Sequence, residues 1–141
     1  LLEVYKKLRA IVAAASDHEA QEELLGEAKH IVQEICVDHV AAADTFIRDP
    51  QLSSLLKADT EMECQILADY LGAAKRFNLE INSRAKDRVV SFGEKLSCRF
   101  MTCLLKDRVS LFLASFSKTM LKQKPKGGGC SVHRPGRHHA Q

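Results

Sequence analysis

The chain of 141 residues contains no tryptophan, two tyrosines and six phenylalanines, and three prolines. Scarce aromatics leave little material for a base-stacking surface, and scarce proline leaves long stretches free to stay helical. No run of about 18 apolar residues occurs, so no segment reads as a membrane span; the longest candidate, Val109 to Phe116, is too short. Lys6, Lys7 and Arg9 interrupt the first apolar run, which argues against a secretory leader and for a cytoplasmic protein. The five cysteines, Cys36, Cys64, Cys98, Cys103 and Cys130, show no Cys-x-x-Cys spacing, and Cys98 and Cys103 diverge on a helix, so reduced thiols are expected and no metal site. His30 and His39 are not spaced as a helical ligand pair. No nucleophile, base and orienting group occur in a recognisable catalytic pattern.

Charge is unevenly placed. From Lys118 to Gln141 there are six lysines and arginines, three histidines (His133, His138, His139) and no acidic residue; setting those six aside turns the overall +3 into about −3 for the first 117 residues. The tail has neither aromatic residues nor a helical charge stripe, which argues against nucleic-acid binding. Its Gly, Pro, Lys and His content, including Gly127 to Gly129, reads as disordered linker.

What is present is helix pattern. With 45% apolar residues and no strand-like alternation over six or more positions, the first ~110 residues read as mostly α. The first helix is expected from about Leu1 to Ala15, with Leu2, Tyr5, Leu8, Ile11 and Val12 at helical spacing. Ser16-Asp17-His18-Glu19 reads as a capping box opening a long second helix, whose Leu24, Ala28, Ile31, Ile35, Ala42 and Phe46 form one face up to Asp49-Pro50. A short turn or helix over Leu52 to Lys57 precedes a second capping box, Thr60 to Glu63, and a helix through Ile66, Leu67, Tyr70 and Ala74. Leu79 to Asn82 connects to a last helix with Ser83 as its cap.

The most informative residues lie on that last helix. Val89, Phe92, Leu96, Phe100 and Cys103 share an apolar side, with Val90, Gly93, Ser97, Met101 and Leu104 beside them. A glycine inside a helix costs about 1 kcal/mol relative to alanine, so Gly93 predicts a close approach by another helix or by a ligand. Glu94 falls at the edge of the apolar arc. Its neighbours three and four positions away are Val90, Ser91, Ser97 and Cys98, so it has no local cation, while Arg88, Lys95, Arg99 and Lys106 fall on the opposite, solvated side. A carboxylate so placed is either a hydrated rim residue or a group that takes a distant cation or a cationic ligand.

These residues also carry a resemblance. The segment RAKDRVVSFGEKLSCRFMTCLLKDR from Arg84 to Arg108 resembles the substrate-site helix of aspartate kinases, most closely the fungal ones, through the pattern V-S-x-G-E-x-L-S at Val90 to Ser97. LGEAKHIVQEICVDHVAAADTFIRDPQL from Leu25 to Leu52 and ADYLGAAKRFNLEINSR from Ala68 to Arg84 follow the family pattern as well. The resemblance covers most of residues 1–108, read as the helical part of an α/β amino-acid kinase domain without its central sheet. Residues 109–141 are read as a divergent, disordered basic tail.

The resemblance implies ATP-dependent phosphorylation of the L-aspartate side-chain carboxylate to 4-phospho-L-aspartate, opening threonine and methionine synthesis, with ATP and Mg2+ used by the complete enzyme. It places Glu94 against the substrate and gives Gly93 the role of making room for it. The family's K-F-G-G-T-S phosphate loop is not found in this sequence, nor are the arginine of its second lobe and its regulatory domains, so this fragment is expected to be inactive alone and to bind neither ATP nor Mg2+ by itself. Val109-Ser110, which GTGAGT can encode, reads as the start of translated intron. The alternative is a non-catalytic helical interaction module or truncated gene product, pairing with itself or with a complete kinase subunit.

Overall fold

The computed structural model describes residues 1–77 and 83–122, with the side chains of Ser83, Leu121 and Lys122 left out of account; these residues form four helices and, among them, no strand. They are α1 (Leu2–Ala13), α2 (His18–Phe46), α3 (Pro50–Arg76) and α4 (Ser83–Lys122). The mostly α reading therefore holds.

Several boundaries differ from the pattern in the sequence. The cap of α2 is Asp17, not Ser16: the Asp17 carboxylate accepts the Ala20 N–H at 3.1 Å. A carboxylate there satisfies an orphan donor and meets the positive end of the helix dipole. α3 is one helix where a short helix and a second start were expected. Asp49 caps it, accepting from the Gln51 and Leu52 N–H groups, and Pro50 sits in its first turn, where a missing N–H costs nothing. Thr60 does not cap; its hydroxyl donates to the Leu56 carbonyl at 2.8 Å inside the unbroken helix. The connection at Leu79 to Asn82 and the Ser83 cap lie outside the described residues and side chains.

The main core joins all four helices. Val4, Leu8 and Ile11 of α1 meet Leu25, Ala28, Val32 and Cys36 of α2, Cys64, Leu67, Leu71 and Ala74 of α3, and Val89, Phe92 and Leu96 of α4. On α2 the buried stripe is turned by about one residue from the expected face: Leu24, Ile31 and Ile35 are only partly buried and Phe46 is half exposed. α2 is flanked by both α1 and α3, so its line of deepest burial falls between the two contacts. A smaller cluster of Ala43, Ile47 and Leu56 receives Phe100, Cys103 and Leu104 from further along α4. Gln21, itself buried, donates to the Ile11 carbonyl at 2.8 Å and so satisfies the last turn of α1.

α4 continues through Arg108 to Lys122, so residues 109–122, expected as part of a disordered tail, are helical; 123–141 lie outside the described residues. At 1.5 Å per residue its 40 residues extend roughly 60 Å. Beyond Asp107 every side chain described on it is exposed. No helix among the described residues is long and apolar enough to cross a membrane.

Candidate functional site

The apolar stripe of α4 seats the helix and thereby fixes where its polar residues point. Val89, Phe92 and Leu96 are buried at three- and four-residue spacing. Gly93, next to Phe92, faces the start of α1: a Cβ added there would overlap the δ-methyl of Leu1. Among the described residues, then, the close approach at Gly93 comes from a neighbouring helix.

Glu94 points away from that contact and is exposed. It makes no hydrogen bond or ion pair with any described residue. Around it on α4, Val90 is 36% exposed, and Ser97 and Cys98 are exposed. Ser91 turns back to donate to the Arg88 carbonyl at 2.7 Å. The site residues therefore stand on one turn with opposite fates, Gly93 against Leu1 and Glu94 exposed, with no cation beside it among the described residues.

Arg88, Lys95 and Lys106 are exposed, as the pattern predicts, and Arg99 is half-buried; Arg88, Lys95 and Arg99 also reach across to α3, which the pattern does not show. Arg99 reaches α3, with one guanidinium nitrogen 2.9 Å from Glu63 Oε1 and the other 3.1 Å from Asp59 Oδ2. Lys95 Nζ lies 3.6 Å from Glu63 Oε2, and the Arg88 guanidinium sits 4.9 Å from the centre of the Tyr70 ring. Glu63 is buried in the α3–α4 interface, which attracts the cations from one turn of the facing helix. Hydrophobic periodicity carries no sign of these ion pairs, because each joins residues 32 or more positions apart in the sequence.

Asp107 is another residue that periodicity missed. It is 1% exposed, and its Oδ1 accepts the Asp49 N–H at 2.8 Å, tying the α2–α3 turn to α4. Its Oδ2 has no hydrogen-bond partner among the described residues.

A groove of about 720 Å³ runs between α2 and α3, lined by Val32, Cys36, Val40, Cys64 and Gln65 among others. Burial pushes the Cys64 thiol up to about 12, helped by the adjoining Cys36 sulfur and by the negative charge of Glu63. Gly93 and Glu94 do not line this groove.

Among the described residues Gly26, Gly72 and Gly93 all lie within helices, and no group of three or more His, Cys, Asp or Glu residues is placed to hold a metal.

Comparison with known proteins gives a consistent set of relatives. An aspartate kinase of Gibberella moniliformis is 46% identical over 108 residues, which is 77% of this chain and 21% of that protein. The aspartokinase of Saccharomyces cerevisiae is 45% identical over 82 residues, 58% of this chain and 15% of the relative, and that of Schizosaccharomyces pombe 38% over 84 residues, 60% and 16% respectively. No family model matches, and no solved structure does. The chain spans about a fifth or less of the length of these curated relatives. Over its matched part, this chain is a homologue of the fungal aspartate kinases, corresponding to a fragment of their length.

Proposed function

We propose that these helices belong to an aspartate kinase that, when complete, transfers the terminal phosphate of ATP to the side-chain carboxylate of L-aspartate. In this reading Glu94 holds the substrate's ammonium group. The observation that carries it is the state of Glu94: a carboxylate inside the V-S-x-G-E-x-L-S pattern, fixed on a well-seated helix and left without a cation by every described residue. An amino acid's ammonium would supply that charge. Gly93, one position back, would keep the turn narrow beside the substrate while Leu1 packs against it. Lys95 and Arg99, drawn to Glu63 and Asp59, would lock the helix so that Glu94 keeps one direction. ATP and Mg2+ would be held by other parts of the complete enzyme, and the fragment alone would not turn over.

The test is Glu94→Gln in the complete kinase polypeptide that carries this segment. A charge-assisted hydrogen bond is worth about 1.5–3 kcal/mol, so the aspartate KM should rise roughly 10- to 100-fold, with the KM for ATP unchanged. An unaltered aspartate KM would remove Glu94 from the site.

A second reading rests on the far end of α4, where Met101, Leu105, Val109, Phe112, Phe116 and Met120 are each at least half exposed at helical spacing. Such a stripe suits a helical interaction module that pairs with another copy or with a complete kinase subunit. Copurification with an intact aspartokinase, lost on Phe112→Ser, would favour it; a monomer that recruits no kinase would count against it.

A further inference from the structure

We propose that Cys36 of α2 and Cys64 of α3 are a disulfide-forming pair, oxidised by hydrogen peroxide or a related hydroperoxide to lock the two long helices together. The inference goes beyond the aspartate reading and needs neither aspartate nor ATP. It begins from register. α2 and α3 run antiparallel, and their ion pairs set which residues face each other: Glu22 meets Lys75 near one end, and Asp44 meets Lys57 at 2.7 Å near the other. Cys36 lies eight residues before Asp44, and Cys64 seven after Lys57. Two turns along each helix from that pair, the two sulfurs therefore arrive opposite each other.

Burial agrees with the register. Cys36 and Cys64 are both in the shared core, 6% and 7% exposed, and both also line the α2–α3 groove. Packed helix axes lie 8–10 Å apart and each Cα stands about 2.3 Å from its axis, so facing positions fall within the reach of a disulfide. The groove admits an oxidant as small as a peroxide. The other two described cysteines are both on α4, Cys98 exposed and Cys103 half-buried, so neither competes from the α2–α3 register.

The chemistry balances with the peroxide as the electron acceptor. One cysteine, as its thiolate, attacks a peroxide oxygen; the O–O bond breaks, a hydroxide leaves and takes up a proton as water, and the sulfur becomes a sulfenic acid. The second thiol gives up its proton and attacks that sulfur, the S–O bond breaks and a second water leaves. Two thiols are oxidised to one disulfide and one peroxide is reduced to two waters. The attacking group is a thiolate, so the reaction speeds up as the pH rises, and burial, which pushes the Cys64 thiol above the ordinary range, slows attack through that sulfur.

The test treats the folded, full chain with hydrogen peroxide without denaturant, alkylates the remaining thiols and maps disulfides in a non-reducing digest by mass spectrometry. The expected product is one intramolecular Cys36–Cys64 cross-link, two hydrogens lighter than the dithiol, reversed by dithiothreitol and formed faster at higher pH. The oxidised chain should melt roughly 10 °C above the reduced one. Cys98→Ser should leave the cross-link intact, and Cys36→Ser or Cys64→Ser should abolish it. Should either serine variant lose its helical circular dichroism, the wild-type digest decides alone. Complete alkylation of both thiols after peroxide would overturn the proposal. So would a sulfinic acid at either position without the cross-link, or an intermolecular disulfide through Cys98 in its place.

Discussion

Of the two bases of α4 that face Glu63, Arg99 is the one whose loss should be felt more. Its guanidinium bridges Asp59 and Glu63, and the Glu63 side chain is only 5% exposed, so Arg99→Ala would leave a desolvated carboxylate with Lys95 at 3.6 Å as its remaining cation. Removing one partner of a buried pair costs more than the pair contributes, because the other charge stays behind. With Arg99 itself 36% exposed and water able to enter, the expected loss is about 1–3 kcal/mol in urea unfolding. Lys95→Ala, with its ammonium 55% exposed, should cost under about 1 kcal/mol. Equal effects of the two substitutions would mean that Glu63 is hydrated. The same contrast explains what could be read at the residue scale beforehand. Glu94 stood out because its missing counter-charge is a local property, visible in Val90, Ser91, Ser97 and Cys98. The roles of Glu63, Asp107 and the Cys36–Cys64 pair depend on which helices are neighbours, and no spacing within one helix encodes that.

At the scale of elements, caps and inter-helix ion pairs set both boundaries and pH response. Asp17→Ala should destabilise the fold by about 1 kcal/mol through the lost bond to the Ala20 N–H, whereas Ser16→Ala should be silent in thermal unfolding. The pattern of two capping boxes located the start of α2 to within a residue, yet it placed a false start at Thr60. The acceptors differ: Asp49 offers a carboxylate in an extended backbone, while Thr60 has a carbonyl four residues back and bonds to that. Propensity sees the Thr60 hydroxyl but not the unbroken helix around it.

The ion pairs that tie α2 to its neighbours fix the pH window. The hydrogen bond from Lys75 holds the Glu22 carboxyl below its ordinary 4.5, so its contribution is present above that value and is lost as the pH falls through the depressed one. The bond to Glu27 raises Lys7 above 10.5, so its contribution is present below that value and is lost as the pH climbs through the raised one. Melting temperature should therefore plateau between the two limits and fall outside them. Glu22→Gln should flatten the acid side at low salt, and the difference should shrink at high salt because both pairs lie at the surface. An acid limb unchanged by Glu22→Gln would assign it to other carboxylates.

For the molecule as a whole, the four-helix body and the overhang of α4 have different standing. The body is held by one core that all four helices enter, and its mostly α character was legible because each helix keeps an apolar stripe. How the stripes meet was not legible: α2 is turned by about a residue from its expected face because it packs on two sides at once. From Leu105 onward α4 exposes Leu105, Val109, Phe112, Leu113, Phe116 and Met120, with the Phe112 and Phe116 rings stacked 6.4 Å apart. An apolar surface of this extent fits helices that are one part of a larger assembly, as does the fraction of each relative that the chain spans. The central claim, that these helices are part of a complete aspartate kinase, is tested most directly by sequencing the messenger RNA on both sides of the stretch coding for residues 1–141. The account predicts a reading frame that enters from a strand with a lysine-glycine phosphate loop before Leu1 and is spliced after Arg108 into a second lobe. A message that starts near Leu1 and stops after Gln141 would contradict it.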